Sequence, residues 1–365
     1  MRACRSRRAF WYWIGVIDAA ARKCRWKDET LIPAWRARSL TVTASSLGTM
    51  MFGAMGNPDH EDAGRIINRA LDAGINFVDT ADVYSGGESE VIVGEAIATR
   101  RDEVVLATKF GLPAGGDPNL SGGSRRWIVR AVEASLARLG TDRIDLYQLH
   151  RYDWATDLPE TLAALDDLIR AGKVLAVGTS TFAAEKIVEA QWVAAQHGTH
   201  RFLSEQPMYS IFERVPERAV FPVAQQYGIG VLTYSPLHGG WLSGRPRPNT
   251  AHRAQSRANM YDPKSETGQR RTRALAALED VARDAGLTMP QLAIAFVTTH
   301  PAVTSAIIGP RTSEQLDGLL TAADVELPAE ILDRIDAVVP PGTEVADDSY
   351  NATPPALVDP NLRRR

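Results

Sequence analysis

Residues 104–150 read VVLATKFGLPAGGDPNLSGGSRRWIVRAVEASLARLGTDRIDLYQLH, and this stretch decides the fold. It opens on a short apolar run, Val104–Lys109, and closes on a second, Ile144–His150. Between them Ile128, Val132, Leu136 and Leu139 recur at spacings of three and four, the period of a helix with one buried stripe. Gly140 follows the stripe, at the place where a helix end favours a left-handed glycine. Two apolar strands joined by an amphipathic helix form a parallel pair with a crossover.

The same unit recurs on both sides. The other strand candidates are Ser46–Phe52, Asn76–Asp79, Val174–Ser180, Phe202–Gln206, Gly230–Tyr234 and Val303–Ile308, which makes eight in all. Leu158, Leu162, Leu165 and Ile169 mark a further helical stripe, and Gly74, Gly172 and Gly228 fall just past helices. Eight strand–helix units, about 30 residues apart, predict an α/β fold, a closed (β/α)8 TIM barrel over residues 41–338. An open doubly wound sheet would carry Gly-x-Gly-x-x-Gly after an early strand. No such turn is found, and the glycine-rich Gly111–Gly123 lacks the spacing. Gly-Lys-Ser/Thr is also absent, so a P-loop is excluded. Residues from Leu237 to about Arg271 read as a long lid or binding loop, rich in Arg, Pro, Asn and Ser.

The chain has 365 residues, 44% hydrophobic and 23% charged, the balance of a soluble globular protein. A net charge of −3 supplies no reason to expect a nucleic-acid partner. Cys4 and Cys24 are its two cysteines, which excludes a disulfide framework and a Cys-rich zinc site. Residues 1–40 differ from the rest: they hold a net charge of +7 and four of the eight tryptophans. Basic Met1–Arg8, apolar Ala9–Ile17 and Ala19-Ala20-Ala21 have the layout of a signal peptide. The apolar run is too short to span a bilayer, and Asp18 interrupts a membrane-surface helix. Our reading is that residues 1–40 stand outside the fold, as the product of an upstream start codon or shifted frame. Residues 339–365 form a proline-rich tail ending in Arg363-Arg364-Arg365.

In a barrel the chemistry sits where strands end and the following loops begin. There the sequence places Asp79, Lys109 and His150, each closing an apolar strand, with Tyr84 five residues past Asp79. Taken singly they read as a helix cap, a solvated strand end and a core histidine. Together they put a carboxylate, an ammonium, an imidazole and a phenol at one opening. A buried lysine or aspartate needs a partner, and Asp79 and Lys109, on neighbouring strands, supply each other. The set suits carbonyl reduction: the tyrosine donates to a developing alkoxide, the lysine lowers its pKa from near 10, and the histidine orients the carbonyl.

From about Leu47 to Leu320 the sequence resembles the aldo-keto reductases. The landmarks are Leu47-Gly48-Thr49-Met50-Met51-Phe52-Gly53, Asp79-Thr80-Ala81-Asp82-Val83-Tyr84, Gly87-Glu88-Ser89-Glu90, Ile144–His150, Gly172-Lys173-Val174 and Tyr234-Ser235-Pro236-Leu237. The resemblance implies a catalytic tetrad of Asp79, Tyr84, Lys109 and His150, no metal, and NADPH as cofactor, with NADH possible. It places Thr49 and Met50 in the cofactor site. Ser180 stands for the serine of the family's Ser-Asn pair that binds the nicotinamide amide, but Thr181 replaces the asparagine. Gln206 is the third amide contact, and Tyr234 stacks on the nicotinamide ring. Ser235, Leu237 and Gly239 begin the loop over the pyrophosphate, and Arg245 takes the place of a basic residue there. Gly309, Arg311, Thr312 and Gln315 resemble the adenosine 2′-phosphate site, where no acidic residue lies between Ile308 and Ser313. The family's adenine-binding Glu-Asn reads Gly318-Leu319 here.

The family's N-terminal hairpin corresponds to Ala34–Val42, of which only the last few residues match; this supports placing residues 1–40 outside the fold. The tail is expected to run extended past the active-site mouth. The expectation is a cytoplasmic NADPH-dependent reductase of an aldehyde or ketone, monomeric or homo-oligomeric, with a small-molecule carbonyl substrate and no nucleic-acid or membrane partner. Specificity falls to residues 110–126, 151–157, 238–270 and the tail. Pro236-Leu237-His238-Gly239-Gly240 also resembles the sugar-nucleotide (deoxysugar) reductases of the family. A non-catalytic NADPH-binding channel subunit is the alternative from another class.

Overall fold

The computed structural model describes residues 42–244, 262 and 264–346. The strands are β1 (Ser45–Gly48), β2 (Phe77–Asp79), β3 (Val105–Phe110), β4 (Ile144–Leu149), β5 (Val174–Ser180), β6 (Ser204–Gln206), β7 (Gly230–Thr233) and β8 (Ser305–Ile308). All pair in parallel and in chain order, and β8 returns to β1 to close the barrel. The helices are α1 (His60–Asp72), α2 (Glu88–Ile97), α3 (Arg125–Leu139), α4 (Leu158–Arg170), α5 (Ala184–His197), α6 (Val220–Tyr227), α7 (Glu266–Asp284), α8 (Met289–Thr299), α9 (Ser313–Leu320) and α10 (Ala329–Val338).

Closure follows from the two-residue period of a strand. Phe77, Ala107, Leu146, Ala176 and Leu232 fill the barrel interior, together with Val42 from its base. Their outward neighbours Val78, Leu106, Tyr147, Val177 and Val231 meet the apolar stripes of the surrounding helices. Two residues further along, the inward face carries Asp79, Lys109 and Gln148. A polar layer therefore lies directly above an apolar one. Gly140 and Gly228 end α3 and α6 with φ near +60°, which an L side chain adopts only at a cost.

Several bounds differ from the sequence expectation. β1 stops at Gly48 because Phe52 N–H turns back to Thr49 O at 3.0 Å. The expected loop to Arg271 is cut short, since α7 begins at Glu266, where Ser265 Oγ accepts Gly268 N–H at 3.0 Å. Residues 1–40, most of the tail 339–365 and the centre of the 238–270 loop with Arg245 lie outside the described residues. Within them the start of the tail pairs with the segment after β6: Arg214 N–H donates to Thr343 O at 2.8 Å and Val345 N–H to Phe212 O at 3.0 Å. Among the described residues no helix is long and apolar enough to cross a membrane.

Candidate active site

The ends of β2, β3 and β4 bring the expected quartet together. Lys109 Nζ donates to Asp79 Oδ2 at 2.5 Å, to Thr80 O at 2.9 Å and to Tyr84 Oη at 3.2 Å. Asp79 and Lys109 are buried, so their pairing offsets a desolvation that neither would survive alone. Gln148 and Gln206 close the other side of Asp79, donating to its Oδ1 at 3.2 and 2.9 Å. The Tyr84 ring stands edge-on to His150, with centroids 5.8 Å apart.

Tyr84 opens a short helical turn, Tyr84–Gly87, in which Ser85 has φ of +51°. Ser85 Oγ donates to Phe52 O at 2.9 Å, which ties this turn to the loop after β1. Ser89, at the start of α2, contacts the hydroxyls of Thr49 at 2.9 Å and Thr80 at 3.0 Å. The landmark Gly87-Glu88-Ser89-Glu90 is thus a brace beneath the site.

Burial and charge oppose each other at Tyr84 and Lys109 and act together at His150. Burial pushes the Tyr84 phenol up, and Lys109 only partly offsets it, so its pKa lies above the usual value. This reverses the expectation from the sequence, where the ammonium alone was weighed. Burial would lower Lys109, but Asp79 and Tyr84 together outweigh it and the ammonium is held. His150 is driven well below its ordinary value by burial, with Lys109 and Arg151 adding to the shift. Its ring is neutral at pH 7, and its buried Nδ1 meets no hydrogen-bond partner among the described residues.

The other predicted residues ring this centre. Ser180 Oγ donates to Gln206 O at 3.0 Å, and Arg151 reaches Ser180 Oγ at 3.4 Å. Thr181 has φ of +58°, and its hydroxyl lies 3.4 Å from Tyr234 Oη. Gln206 Nε2 also reaches Gln148 Oε1 at 3.3 Å, so its amide protons face the barrel and its Oε1 remains as an acceptor. Ser235 and Gly239 hold φ of +57° and +66° on either side of Leu237. Thr49 is sealed, its hydroxyl 3.1 Å from Asp79 O, while Met50 beside it is partly exposed. Tyr152 and Trp154 pack together beside the opening, with Lys186 Nζ 5.0 and 5.4 Å from their rings.

On the far side of β8 a cavity of about 440 Å3 is lined by Asn57, Asp62, Arg311, Thr312, Glu314 and Gln315. Gly309 leads into it from β8. Gln315 Oε1 accepts Arg311 N–H at 2.9 Å, and Asn57 Nδ2 donates to Arg311 O at 3.2 Å, so the loop is pinned from both sides. No acid lies between Ile308 and Ser313, as expected, but α1 brings Asp62 and α9 brings Glu314 to the same cavity.

The sequence is also similar to known proteins. Residues 46–340 match the model of the aldo/keto reductase family. The chain belongs to the aldo/keto reductase family. It is an oxidoreductase acting on carbonyl and alcohol groups, in a family that generally binds a nicotinamide nucleotide. It is 38% identical to the Bacillus subtilis protein named uncharacterized oxidoreductase YrpG, over 84% of this chain and 96% of that one. A probable voltage-gated potassium channel subunit beta of Arabidopsis thaliana is 34% identical, over 83% and 96%. Norsolorinic acid reductase stcV of Emericella nidulans is 33% identical, over 82% and 79%.

In this reductase two residues of the site escaped the sequence reading. Gln148 lies two residues before His150 on β4, and strand alternation alone puts both on the inward face. Glu205, buried beside Gln206, is the other. A charged residue inside an apolar strand was the signal that marked Lys109; β6 reads Ser204-Glu205-Gln206, polar throughout, so that signal was missing for Glu205.

Proposed function

We propose that this chain is an NADPH-dependent carbonyl reductase, in which hydride reaches an aldehyde or ketone and Tyr84 donates the proton. The observation that carries the reading is the buried Asp79–Lys109 pair with Lys109 Nζ 3.2 Å from Tyr84 Oη. Because burial holds Tyr84 in its phenol form, the proton is present to be given. Lys109 stabilises the phenolate left behind, and Asp79 keeps Lys109 charged and in place. His150, neutral and beside Tyr84, donates an N–H to the carbonyl oxygen. An orphaned buried N–H is rarer than an unpaired acceptor, so with Nδ1 unpartnered the ring proton sits on Nε2.

The residues present fit a nicotinamide nucleotide. Gln206 Oε1 and Ser180 suit a carboxamide, Tyr234 offers a ring face, and the cavity at Arg311 has the size of an adenosine end. When bound, that nucleotide supplies the hydride. Arg311 has a guanidinium that matches a 2′-phosphate, which favours NADPH. A panel of aldehydes, ketones, quinones and sugar nucleotides, followed at the NADPH absorbance band, tests the proposal. Turnover of at least one class is expected. A second reading, a regulatory NADPH-binding subunit, draws on the likeness to probable potassium channel beta subunits. Tight NADPH binding with negligible turnover across the panel would favour it and overturn the first.

A further inference from the structure

We infer that Glu205 is a positioning residue for the cofactor turn Thr179–Phe182, which it holds in a conformation that Thr181 resists. The inference rests on the reading above that Ser180 and Thr181 face the nicotinamide carboxamide.

Thr181 sits in the left-handed region, with φ of +58°. Glycine and asparagine adopt that region readily, whereas a β-branched residue there is an outlier. Such a conformation persists only where the surroundings impose it. Here the surroundings converge on one strand. Thr181 N–H donates to Gln206 O at 3.1 Å, and Ser180 Oγ donates to the same carbonyl at 3.0 Å. The residues flanking that pair are both tied to Glu205. Thr179 Oγ1 donates to Glu205 Oε2 at 2.5 Å, and Phe182 N–H donates to Glu205 Oε1 at 3.1 Å. One carboxylate therefore spans the turn.

The position itself argues for a purpose. Glu205 is paired in register with Thr179 on one side and Val231 on the other. Its side chain faces outward, in a layer that holds Val177 and Val231, and it is fully buried. An aliphatic residue would fill that place at no desolvation cost. The partners of the carboxylate are a hydroxyl and backbone N–H groups, with the charge of Arg151 acting from a distance, so no direct ion pair accounts for its presence. What it does is close both ends of the strained turn.

The test compares Glu205→Gln, Glu205→Val, Thr179→Val, Ser180→Ala and Thr181→Asn. The readouts are NADPH dissociation constants from fluorescence, kcat at saturating NADPH, and melting temperatures without cofactor. Glu205→Gln should bind within about threefold of the parent. Its Oε1 accepts Phe182 N–H, and its amide donates to Thr179 Oγ1, whose proton turns to Ser204 O at 3.2 Å. Glu205→Val should raise the dissociation constant about tenfold or more, with kcat at saturation little changed. Adding Thr181→Asn to Glu205→Val should recover most of that loss, because asparagine holds the turn unaided. Thr181→Asn alone should raise the cofactor-free melting temperature.

If Glu205→Val fails to fold, Thr179→Val opens the same clamp from the other end and should weaken NADPH severalfold. Parent-like binding by the opened-clamp variants, with Ser180→Ala weakened, would overturn the inference and leave the cofactor reading intact. Parent-like binding by Ser180→Ala as well would overturn both. Loss in Glu205→Val that Thr181→Asn does not recover would also overturn it, since Glu205 would then support the fold generally.

Discussion

At the scale of single residues, the phenol of Tyr84 is where the chemistry concentrates. Tyr84→Phe keeps the ring against His150 and removes only the hydroxyl that Lys109 meets. It should lower kcat on the order of 100-fold or more while NADPH still binds. Retention of half the parent's kcat would remove Tyr84 from the donor role. Arg311 is tested by the two cofactors together. A charge-assisted bond contributes roughly 1.5–3 kcal/mol, about tenfold to over a hundredfold in affinity. Arg311→Ala should weaken NADPH within that range and leave NADH nearly unchanged. Asp62 and Glu314 line the same cavity and oppose a phosphate, so Asp62→Asn should tighten NADPH more than NADH. Equal changes for both nucleotides would show that Arg311 supports the loop. The quartet was legible because Asp, Lys and His close apolar strands, where they are costly without partners. Asp62 was not legible beside Arg311, because the two lie some 250 positions apart and only barrel closure brings them together.

At the scale of elements, strand–helix alternation was readable from apolar spacing, and the left-handed glycines after α3 and α6 confirm where those helices end. The loops were not readable in the same way. Thr181 and Ser235 adopt positive φ, and neither is a residue type that announces it. Such conformations are imposed by the tertiary surroundings and are invisible to local propensity. The segment after β6 offers a second case. Arg214, buried there, donates to Glu217 at 2.8 Å, to Asp336 of α10 at 2.6 Å and to Val339 O at 2.7 Å. It also lies 5.1 Å from the Phe296 ring of α8. Arg214→Ala takes the cation from the largely buried Glu217, which keeps Tyr209 O–H and Gly342 N–H, and removes a donor from the Val339 carbonyl. The cost falls at the lower end of the about 3–5 kcal/mol of a broken buried pair. A fall of several degrees in melting temperature is expected, with faster proteolytic cleavage beyond residue 339. Arg334→Ala, which breaks an exposed pair with Asp284, should change neither. Similar effects from both substitutions would contradict the anchoring role.

At the scale of the whole molecule, barrel closure buries carboxyls that an unfolded chain leaves in water, and stability becomes pH-dependent. Burial, helped by the nearby Glu90, raises Asp82 to about 7, and burial raises Glu205 to about 7 despite its hydrogen bonds. An unfolded aspartate or glutamate loses its proton near 4. Between those values the folded state holds more protons, so stability falls as pH rises from about 4 to about 7. His150 acts oppositely: it stays neutral when folded, whereas an unfolded imidazole takes a proton below about 6.5. Two carboxyls against one imidazole leave a net gain on going from pH 7.5 to 5.5. Further down, Asp166 reverses the trend. Burial would raise it, but His200 and Arg170 outweigh burial and hold it at about 2. Its contribution is complete above about 4 and is lost as pH falls towards 2. Melting temperature should therefore rise from pH 7.5 to about 5.5 and fall below about 4. Asp82→Asn removes one of the two raised carboxyls, both of whose oxygens lack hydrogen-bond partners among the described residues. Its melting temperature at pH 7.5 should lie closer to its value at pH 5.5 than in the parent. Thermal melts of both proteins across this range decide the matter: parallel curves would mean that Asp82 is already ionised in the folded state at pH 5.5, and that Arg138 and Lys109 outweigh its burial.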